Sequence, residues 1–371
     1  LESVENGYQE NIELWKQFYN GKVAGFHDYE EFIGTETVKR ERLSLQMAKT
    51  VCEKWADTSY NPETDITVED SFQDRLKDIL DMNDFENKIN REIEKGYAFG
   101  TMGIITSPID EDVDIQFVTA DMMIPVYSND RFAWAIISQY NQNTYYVSIH
   151  YDKSKLGYQV DNHIIKVDND KLTLLNNETV EQEYGIKSME FYQEPMLHIF
   201  KPAIANNIDY NSPYGISIFG NALSELKAVD MSYSNMNTEL EIGKMRLFST
   251  VQNLEMEKMK PTFNFKQEGF YVIEGDQTFS DGTTIKTHSP TLRSADMINT
   301  LETNLNMLGR KIGFGDDAFT FSKGTVYTNT AQVVSTNSEF YKTRQKMLVA
   351  LESTLVGMVR AIYLLDTGRL M

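Results

Sequence analysis

Hydrophobic side chains recur at helical spacing over the first hundred residues. The pattern predicts helical structure over 10–99, with 38–55 and 68–97 as the clearest segments. In the second segment, residues three and four positions apart form one apolar stripe: Phe72, Leu76, Ile79, Leu80, Phe85, Ile89, Ile93 and Tyr97. We therefore expect one face of these helices to be packed and the face rich in Asp, Glu and Lys to lie in solvent.

The period of the pattern changes to two after Gly100, and β-branched and aromatic residues become more frequent. The alternation predicts strands at 115–119, 132–140, 144–151, 157–160, 163–167 and 196–200. Turn-forming sequences rich in Asn, Asp and Ser separate these segments. The sequence predicts a small meander or barrel in this region.

A second helical pattern runs over 216–247, where a helix would be about 48 Å long. Its stripe lies along about eight turns: Phe219, Leu223, Leu226, Val229, Tyr233, Met236, Leu240 and Leu247. Ser, Asn and Thr alternate with this stripe, which is more typical of packing against neighbouring copies than of a deep single-chain core. Strands and turns follow over 249–290, with candidate strands at 262–265, 270–274 and 283–287.

The most informative segment begins with a third apolar helix over 298–312. The helix breaks at Gly313, and a second long helix restarts at 328, where Asn329 is a plausible N-cap and Gln332 can reach back to it. Apolar residues follow along one face: Val333, Phe340, Met347, Leu351, Leu355, Met358 and Ile362. Either core packing or subunit packing explains this stripe. Together, these segments predict an α+β fold.

The loop over 313–327 joins these two helices. Three phenylalanines alternate with charged and polar residues: Phe314, Asp316, Asp317, Phe319, Thr320, Phe321 and Lys323. Three glycines give the loop hinge freedom: Gly313, Gly315 and Gly324. Taken without any relative, this pattern favours a surface loop whose phenylalanines pack back against the helices.

The chain is strongly acidic, with a formal charge of −20 over 371 residues. This balance opposes adhesive nucleic-acid binding, because non-specific affinity for DNA depends on Lys and Arg that neutralise phosphates. An acidic wall suits a conduit that lets DNA slide. The single cysteine, Cys52, is predicted to be a buried small hydrophobe. The apolar runs fall far short of the roughly 18–20 residues that span a bilayer, so no membrane partner is predicted.

Motifs for catalysis are sparse. The sequence has no P-loop, and its five histidines are scattered without the spacing of a zinc site, so neither a cofactor nor a metal is predicted. Two acidic clusters, at 110–114 and 168–170, are best explained as solvated hairpin turns. A divalent-metal nuclease that uses them, with Asp112 and Asp170 as ligands, is the alternative function.

In sequence and order, these elements resemble the portal proteins, or head-to-tail connectors, of long-tailed phages that infect Gram-positive bacteria. The resemblance depends on four stretches: 68–100 leading into 119–125, 214–217, 305–309 running into 313–315, and 330–338. Each motif is moderately specific, and their order and spacing cover nearly the whole chain.

The resemblance implies a division into a wing, a stem, a clip, a tunnel loop and a long helix. The wing would be 1–213 (helical over 1–99, β-rich over 100–213), the stem helices 214–247 and 292–312, the clip 248–291, the tunnel loop 313–327 and the long helix 328–371. The chain ends at Met371, so the crown would be short or truncated. Because the chain starts at Leu1 rather than Met, we expect it to be a portion of a longer product.

The family resemblance also implies a structural channel protein, not an enzyme. A homo-oligomeric ring, usually a dodecamer, would stand at one capsid vertex of the virion after assembly in the host cytoplasm. Double-stranded DNA would pass without sequence-specific binding, and the scaffolding and major capsid proteins would meet the wing. The large terminase subunit and later a head-completion adaptor would meet the clip through Lys258, Lys260, Phe263, Phe265 and Phe270. Another ring-forming head-tail adaptor is the remaining alternative.

Overall fold

The fold combines helices and antiparallel sheets in largely separate segments, as expected for an α+β protein. The computed structural model describes residues 2–3, 8–61, 63–109, 112–128, 131–168, 171–250, 256–257, 260–261, 269–273, 285–315, 318–319 and 338–368. Its α-helices are α1 Tyr8–Tyr19, α2 Met47–Ser59, α3 Asp70–Met82, α4 Phe85–Phe99, α5 Asn177–Tyr184, α6 Leu223–Ile242, α7 Ser294–Lys311 and α8 Ser338–Asp366.

The first twelve strands precede α6. They are β1 Glu2–Ser3, β2 Asp28–Phe32, β3 Thr37–Glu41, β4 Met102–Ile109, β5 Asp112–Thr119, β6 Met123–Ser128, β7 Arg131–Asn141, β8 Thr144–Tyr151, β9 Tyr158–Asp168, β10 Lys171–Leu174, β11 Met189–Tyr192 and β12 Leu197–Phe200. Between α6 and α7 lie β13 Arg246–Thr250, β14 Met256–Glu257, β15 Lys260–Pro261, β16 Phe270–Ile273 and β17 Ile285–His288.

The predicted meander is confirmed. Strands β6 to β10 are neighbours in sequence order within a seven-stranded sheet, with β1 beside β6 and β11 also paired with β9. Two predicted strands, 157–160 and 163–167, form the single strand β9. It continues through the polar Asn162 because that side chain donates to Lys187 O at 2.8 Å and accepts from Tyr146 Oη at 2.7 Å.

The prediction of continuous helical structure over 10–99 is wrong in two places. A two-stranded hairpin, β2–β3, replaces the first half of the predicted 38–55 helix, since Gly34 adopts a φ of 96° at its turn. The stripe over 68–97 is divided between α3 and α4. Asp84 adopts a φ of 54° there, and the Asn83 side chain bonds Val113 O and Ile115 N at 2.8 Å each on strand β5.

The helix predicted over 216–247 is shorter than its apolar pattern. Helix α6 has 20 residues, which corresponds to about 30 Å. Residues before it form a buried irregular turn, in which Gly215 lies so close to Gly100 that a Cβ would be 2.2 Å from the Gly100 carbonyl oxygen. Ile218 N donates to Tyr97 O at 2.9 Å, which ties the turn to α4. Strand β13 begins soon after α6 because it pairs with both β16 and β17.

One large core joins the helical layer, the β12–β4–β5 sheet and α8. Its largest fully buried side chains include Trp15, Trp55, Tyr97, Phe85, Phe200 and Phe219. The predicted stripe of α8 is confirmed in this core, where Met347, Leu351, Leu355, Met358 and Ile362 are all buried. We call this cluster the main core. Residues 328–337, where the helix was predicted to restart, lie outside the described residues.

Candidate channel-forming region

Helices α6 and α7 pack against each other as an antiparallel pair, which we call the stem. Three polar ties join them at three levels. Lys311 Nζ lies 2.9 Å from Glu225 Oε1, Asn304 Nδ2 donates to Ser232 Oγ at 2.7 Å, and Arg293 Nη2 lies 2.6 Å from Glu239 Oε2. From the first tie to the third, the residue number rises in α6 and falls in α7, so the two helices run antiparallel. Helix α7 lies where the apolar pattern predicted a helix before Gly313.

Burial falls along the stem away from the main core. The buried apolar residues of the pair are Leu226, Val229, Leu301, Leu305 and Leu308. At the far end, which we call the distal stem (240–245 and 292–298), Leu240, Ile242, Met245, Leu292 and Ile298 are exposed. Exposed large apolar side chains at this density are typical of a surface that another protein covers.

One carboxylate joins the end of α6 to the residue that precedes α7. Glu239 accepts from Arg293 N at 3.0 Å, Nε at 3.2 Å and Nη2 at 2.6 Å. These hydrogen bonds lower the pKa of Glu239 and raise that of Arg293. Since Arg293 directly precedes α7, the pair fixes the start of α7 against the end of α6.

The loop after α7 begins with a tight cap. Gly313 and Gly315 adopt φ values of 84° and 83°, which glycine alone adopts readily. Phe314 N and Gly315 N donate to Gly309 O at 3.0 and 3.2 Å. The predicted helix break at Gly313 is thus confirmed, and its physical cause is the left-handed conformation at the helix end.

Phe314 and Phe319 lie in an aromatic cluster with Trp55 of α2 and Phe340 of α8. The Phe314 ring centroid is 4.7 Å from that of Trp55 and 5.4 Å from that of Phe340. Phe319 packs edge-on against Phe314, with 5.8 Å between the centroids. Both phenylalanines therefore pack back against the helices, as the sequence pattern alone favoured.

Polar contacts hold the same cluster in place. Trp55 Nε1 donates to Ile312 O at 3.1 Å, and Lys54 Nζ donates to Ala318 O at 2.9 Å. The Lys54 ammonium also lies 4.4 Å from the Phe319 ring centroid. Both the exit of α7 and the residues that follow are thereby attached to α2. Sequence analysis missed Lys54 and Trp55, because α2 gives only a core-helix pattern and is distant in sequence.

Only some of the other residues predicted for this region are among those that the structure describes. In the loop, Asp316, Asp317, Phe321, Lys323 and Gly324 lie outside the described residues. Among the predicted clip residues, Lys258, Phe263 and Phe265 also lie outside them. Lys260 lies in β15, and Phe270 lies in β16 beside β13.

The contacts of the acidic clusters support a structural role for their carboxylates. Arg75 Nη2 lies 2.9 Å from Asp112 Oδ1, and Asp114 accepts from Gln116 Nε2 at 2.6 Å. Asp168 stands opposite Lys171 at the end of the β9–β10 hairpin. Over the part of the chain that the structure describes, no three His, Cys, Asp or Glu side chains come together in a group that could hold a metal ion. Asp110 and Asp170 are not among the described residues.

Helix α8 is more apolar than the sequence analysis anticipated. Residues 340–366 are long and apolar enough to cross a bilayer by these two criteria alone. The helix packs against β12, β4, β5, α2 and α3, and Thr354 Oγ1 donates to Ile199 O at 3.2 Å. A core helix can satisfy the same criteria, and one stripe of α8 is buried in the main core.

Comparison with known proteins places this architecture in context. The family model described as phage portal protein, SPP1 Gp6-like, matches residues 3–365, nearly the whole chain. No curated protein matches the sequence.

Proposed function

The chain belongs to the SPP1 Gp6-like family of phage portal proteins, and from that premise we propose that it forms the channel through which double-stranded DNA enters and leaves the capsid. The family is one of structural channel proteins, which form oligomeric rings at a capsid vertex with phage capsid partners. In our proposal the ring is a dodecamer, assembled in the host cytoplasm, and the DNA slides through without sequence-specific binding.

The match over residues 3–365 is the observation that carries this proposal. The charge of the chain agrees with it. Duplex DNA carries one negative charge per about 1.7 Å of its axis, so a basic wall would bind it and slow translocation. A chain of net charge −20 provides an acidic wall that keeps DNA mobile.

The stem supplies the structural support. Its distal apolar residues are exposed in one subunit, and neighbouring stems in a ring would cover them. In this proposal the paired helices become the channel wall, and the small β13–β16–β17 sheet belongs to the clip. Lys258, Lys260, Phe263, Phe265 and Phe270 would form the clip surface that meets the large terminase subunit and then the head-completion adaptor. The wing would meet the scaffolding and major capsid proteins.

The loop after α7 would set the channel aperture. Because Phe314 and Phe319 pack against α2 and α8, we propose that they anchor its base rather than touch DNA in this conformation. Asp316, Asp317, Phe321 and Lys323 are the remaining candidates for facing DNA, with hinges at Gly313, Gly315 and Gly324. Lys323 would give each loop one transient phosphate contact.

Electron microscopy and mass measurement of the purified full chain test this proposal. We expect a closed ring near the dodecamer mass, with a central hole wide enough for a DNA duplex. A chain that stays monomeric under every assembly condition would contradict it. For the loop, a phage carrying Lys323→Ala should package or retain less DNA than the wild type. Lys77→Ala, which removes an exposed lysine on α3, is the matched control.

A further inference from the structure

The β2–β3 hairpin stands apart from the main core. Its two strands pair with each other and, over the residues that the structure describes, with no further strand. All residues from 30 to 41 are exposed except the half-buried Val38. Phe32 is 70% exposed and Ile33 is 49% exposed. We call this hairpin the arm.

The root of the arm is fixed by buried polar contacts to α6. The Asp230 carboxylate accepts from Ser44 Oγ at 3.0 Å and Leu45 N at 2.7 Å, and it lies 3.1 Å from His27 Nε2. His27 Nδ1 accepts from Val23 N at 2.8 Å, so the ring proton is on Nε2 and points at Asp230. Leu43 N lies near α6 as well, donating to Ser234 Oγ at 3.4 Å.

Arg42 closes the root from the other side. Its backbone N–H donates to His27 O at 2.8 Å, and its guanidinium lies 4.4 Å from the Phe26 ring centroid and 4.6 Å from that of Tyr29. A two-stranded hairpin alone is at best marginally stable in water. Here buried contacts fix the root of a hairpin whose Phe32 is exposed, and a root that is already ordered lowers the entropy lost when a partner binds.

One face of the arm is acidic with an aromatic end. Side chains alternate between the faces of a strand, so Asp28, Glu30 and Phe32 share a face with their cross-strand partners Glu41, Lys39 and Thr37. This face carries three carboxylates and one ammonium group. Lys22 Nζ lies 3.4 Å from Asp28 Oδ2, and Lys39 stands opposite Glu30. The net charge of the face remains negative.

The exposed face of α8 has the complementary character. Three cations and three apolar residues lie within one stripe at helical spacing: Lys342, Lys346, Val349, Val356, Arg360 and Tyr363. Val349 is 56% exposed and Val356 is 44% exposed. Over the described part of the chain, none of these three cations has an ion-pair partner; Glu352 is the carboxylate at the edge of the stripe. Such a stripe is unusual on a chain of net charge −20.

We propose that the arm of one subunit lies across the exposed face of α8 in the next copy of this chain, an inference that rests on the proposed ring. Along the strand, each of Asp28, Glu30 and Phe32 lies about 6.6 Å from the next. Along α8, Lys342 to Val349 spans about 10.5 Å. Phe32 can therefore contact Val349 while Glu30 and Asp28 lie near Lys346 and Lys342.

A second copy is the occupant that the arrangement favours. The arm is rooted on α6, whereas α8 packs on β12 and β4, so both surfaces are open in one subunit. In a closed ring with head-to-tail contacts, every copy donates one arm and receives one, and no pair remains unfilled. Duplex DNA could neutralise the α8 cations, but it would leave the acidic arm with its exposed Phe32 uncovered.

Cross-linking tests the proposal without removing the proposed contacts. Thr37→Cys places a thiol on the acidic face of the arm, and Ser353→Cys places one in the α8 stripe. The native Cys52 is fully buried, and burial raises its pKa well above the ordinary value, so it stays unreactive. With a short bis-maleimide, the assembled double variant should give a ladder of covalent oligomers, and neither single variant should.

The matched control moves the first thiol to another exposed strand. Leu172 on β10 is 69% exposed, similar to Phe32, and Leu172→Cys with Ser353→Cys should give no ladder. A wild-type chain that forms no ring contradicts the proposed function. Intact rings whose Thr37→Cys/Ser353→Cys variant stays uncross-linked contradict only the arm inference.

Charge reversal gives an independent measurement. Glu30→Lys and Lys346→Glu should each raise the concentration needed for half-maximal assembly about fivefold, as expected for exposed ion pairs. The double variant should return close to the wild-type value. If the double variant assembles as poorly as both single effects combined, the proposed pairing is wrong. If Glu30→Lys changes nothing while Lys346→Glu lowers DNA retention, the α8 face binds DNA instead.

Discussion

The aromatic cluster around Trp55 and the distal stem bury their apolar residues by different means. Trp55, Phe314 and Phe340 cover one another within a single subunit, and Trp55 is completely buried. At the distal stem, Ile242 and Met245 remain 58% and 59% exposed, although the helix pair there is held by the Glu239–Arg293 contacts. The main core buries its apolar side chains within one subunit, whereas the distal stem leaves several of them exposed.

The difference follows from the elements that each helix contacts. Helix α2 lies among α1, α4 and α8, so its apolar face meets partners on several sides. Helix α6 has polar residues interspersed along its stripe and meets mainly α7 beyond the main core. A stem helix therefore keeps its geometry through specific polar ties, and its remaining apolar surface is available to neighbouring subunits.

The largest contrast should come from single apolar truncations in the two regions. Trp55→Ala removes the stacking on Phe314 and the hydrogen bond to Ile312 O, and should lower the free energy of unfolding by about 4 kcal/mol. Ile242→Ser should change it by less than about 0.5 kcal/mol in the isolated subunit. Urea denaturation of disassembled subunits measures both.

Assembly separates these two positions further. Ile242→Ser should impair ring formation despite its near-normal subunit stability. Trp55→Phe, which keeps an aromatic ring but loses the indole N–H, should recover much of the lost stability and serves as the control. Equal losses from Trp55→Ala and Ile242→Ser in the isolated subunit would remove the distinction between the regions.

The second largest effect is a decrease of the free energy of unfolding in acid, caused by two buried histidines in the sheets beside the main core. His150 of β8 and His198 of β12 are 9% and 6% exposed. The pKa of each is lowered from 6.5 to about 4, mainly by burial. The nearby His198 contributes to the shift at His150, and a hydrogen bond to the Pro195 backbone partly opposes the shift at His198. Both rings are therefore neutral in the folded protein at neutral pH.

The sign of the pH effect follows from proton binding. Between pH 6.5 and 4 the unfolded chain binds protons at these histidines that the folded protein does not. Their contribution is complete above pH 6.5 and is lost as the pH falls toward 4, by roughly 3 kcal/mol for each ring. Denaturation at a series of pH values should show a shallower decline for His150→Gln than for the wild type, because glutamine binds no proton in this range. An unchanged slope in His150→Gln would contradict this account.

The smallest effect is expected at the stem junction. Glu239→Gln weakens the three hydrogen bonds from Arg293 but leaves global unfolding unchanged, since the pair lies at the surface. Faster amide hydrogen exchange at the end of α6 and the start of α7 should report the local loss. The pKa of Glu239 is lowered by these bonds, and protonation of the carboxylate in acid weakens them. The protection of the same amides, relative to their intrinsic exchange rates at each pH, should therefore fall in the wild type. Glu241→Gln, an exposed neighbour, is the control.

Periodicity alone was sufficient for several elements. The alternation over 144–151 predicted β8 at its observed bounds, and the apolar stripe over 298–312 predicted α7 to within four residues at its start and one residue at its end. The same reasoning predicted the buried face of α8. These segments have one consistent pattern whose period matches the element, so neighbours in the fold do not override it.

Other elements depended on contacts that no local pattern contains. The apolar run before α6 reads as helix, yet Gly100 and Gly215 pack so closely that the chain turns into the main core there. Likewise, the sequence pattern predicted a helix where the arm forms. The arm depends on Asp230, which fixes its root from about 200 residues away in sequence.

The sequence by itself determined the acidic charge, the change from helices to strands after Gly100, and the family to which the chain belongs. Only the tertiary structure decided that Phe314 lies against Trp55, that Phe319 lies against Phe314, and which faces of α6 and α8 stay open. The reason is physical: periodicity identifies a face that is apolar, but what covers that face depends on residues brought together from distant parts of the chain.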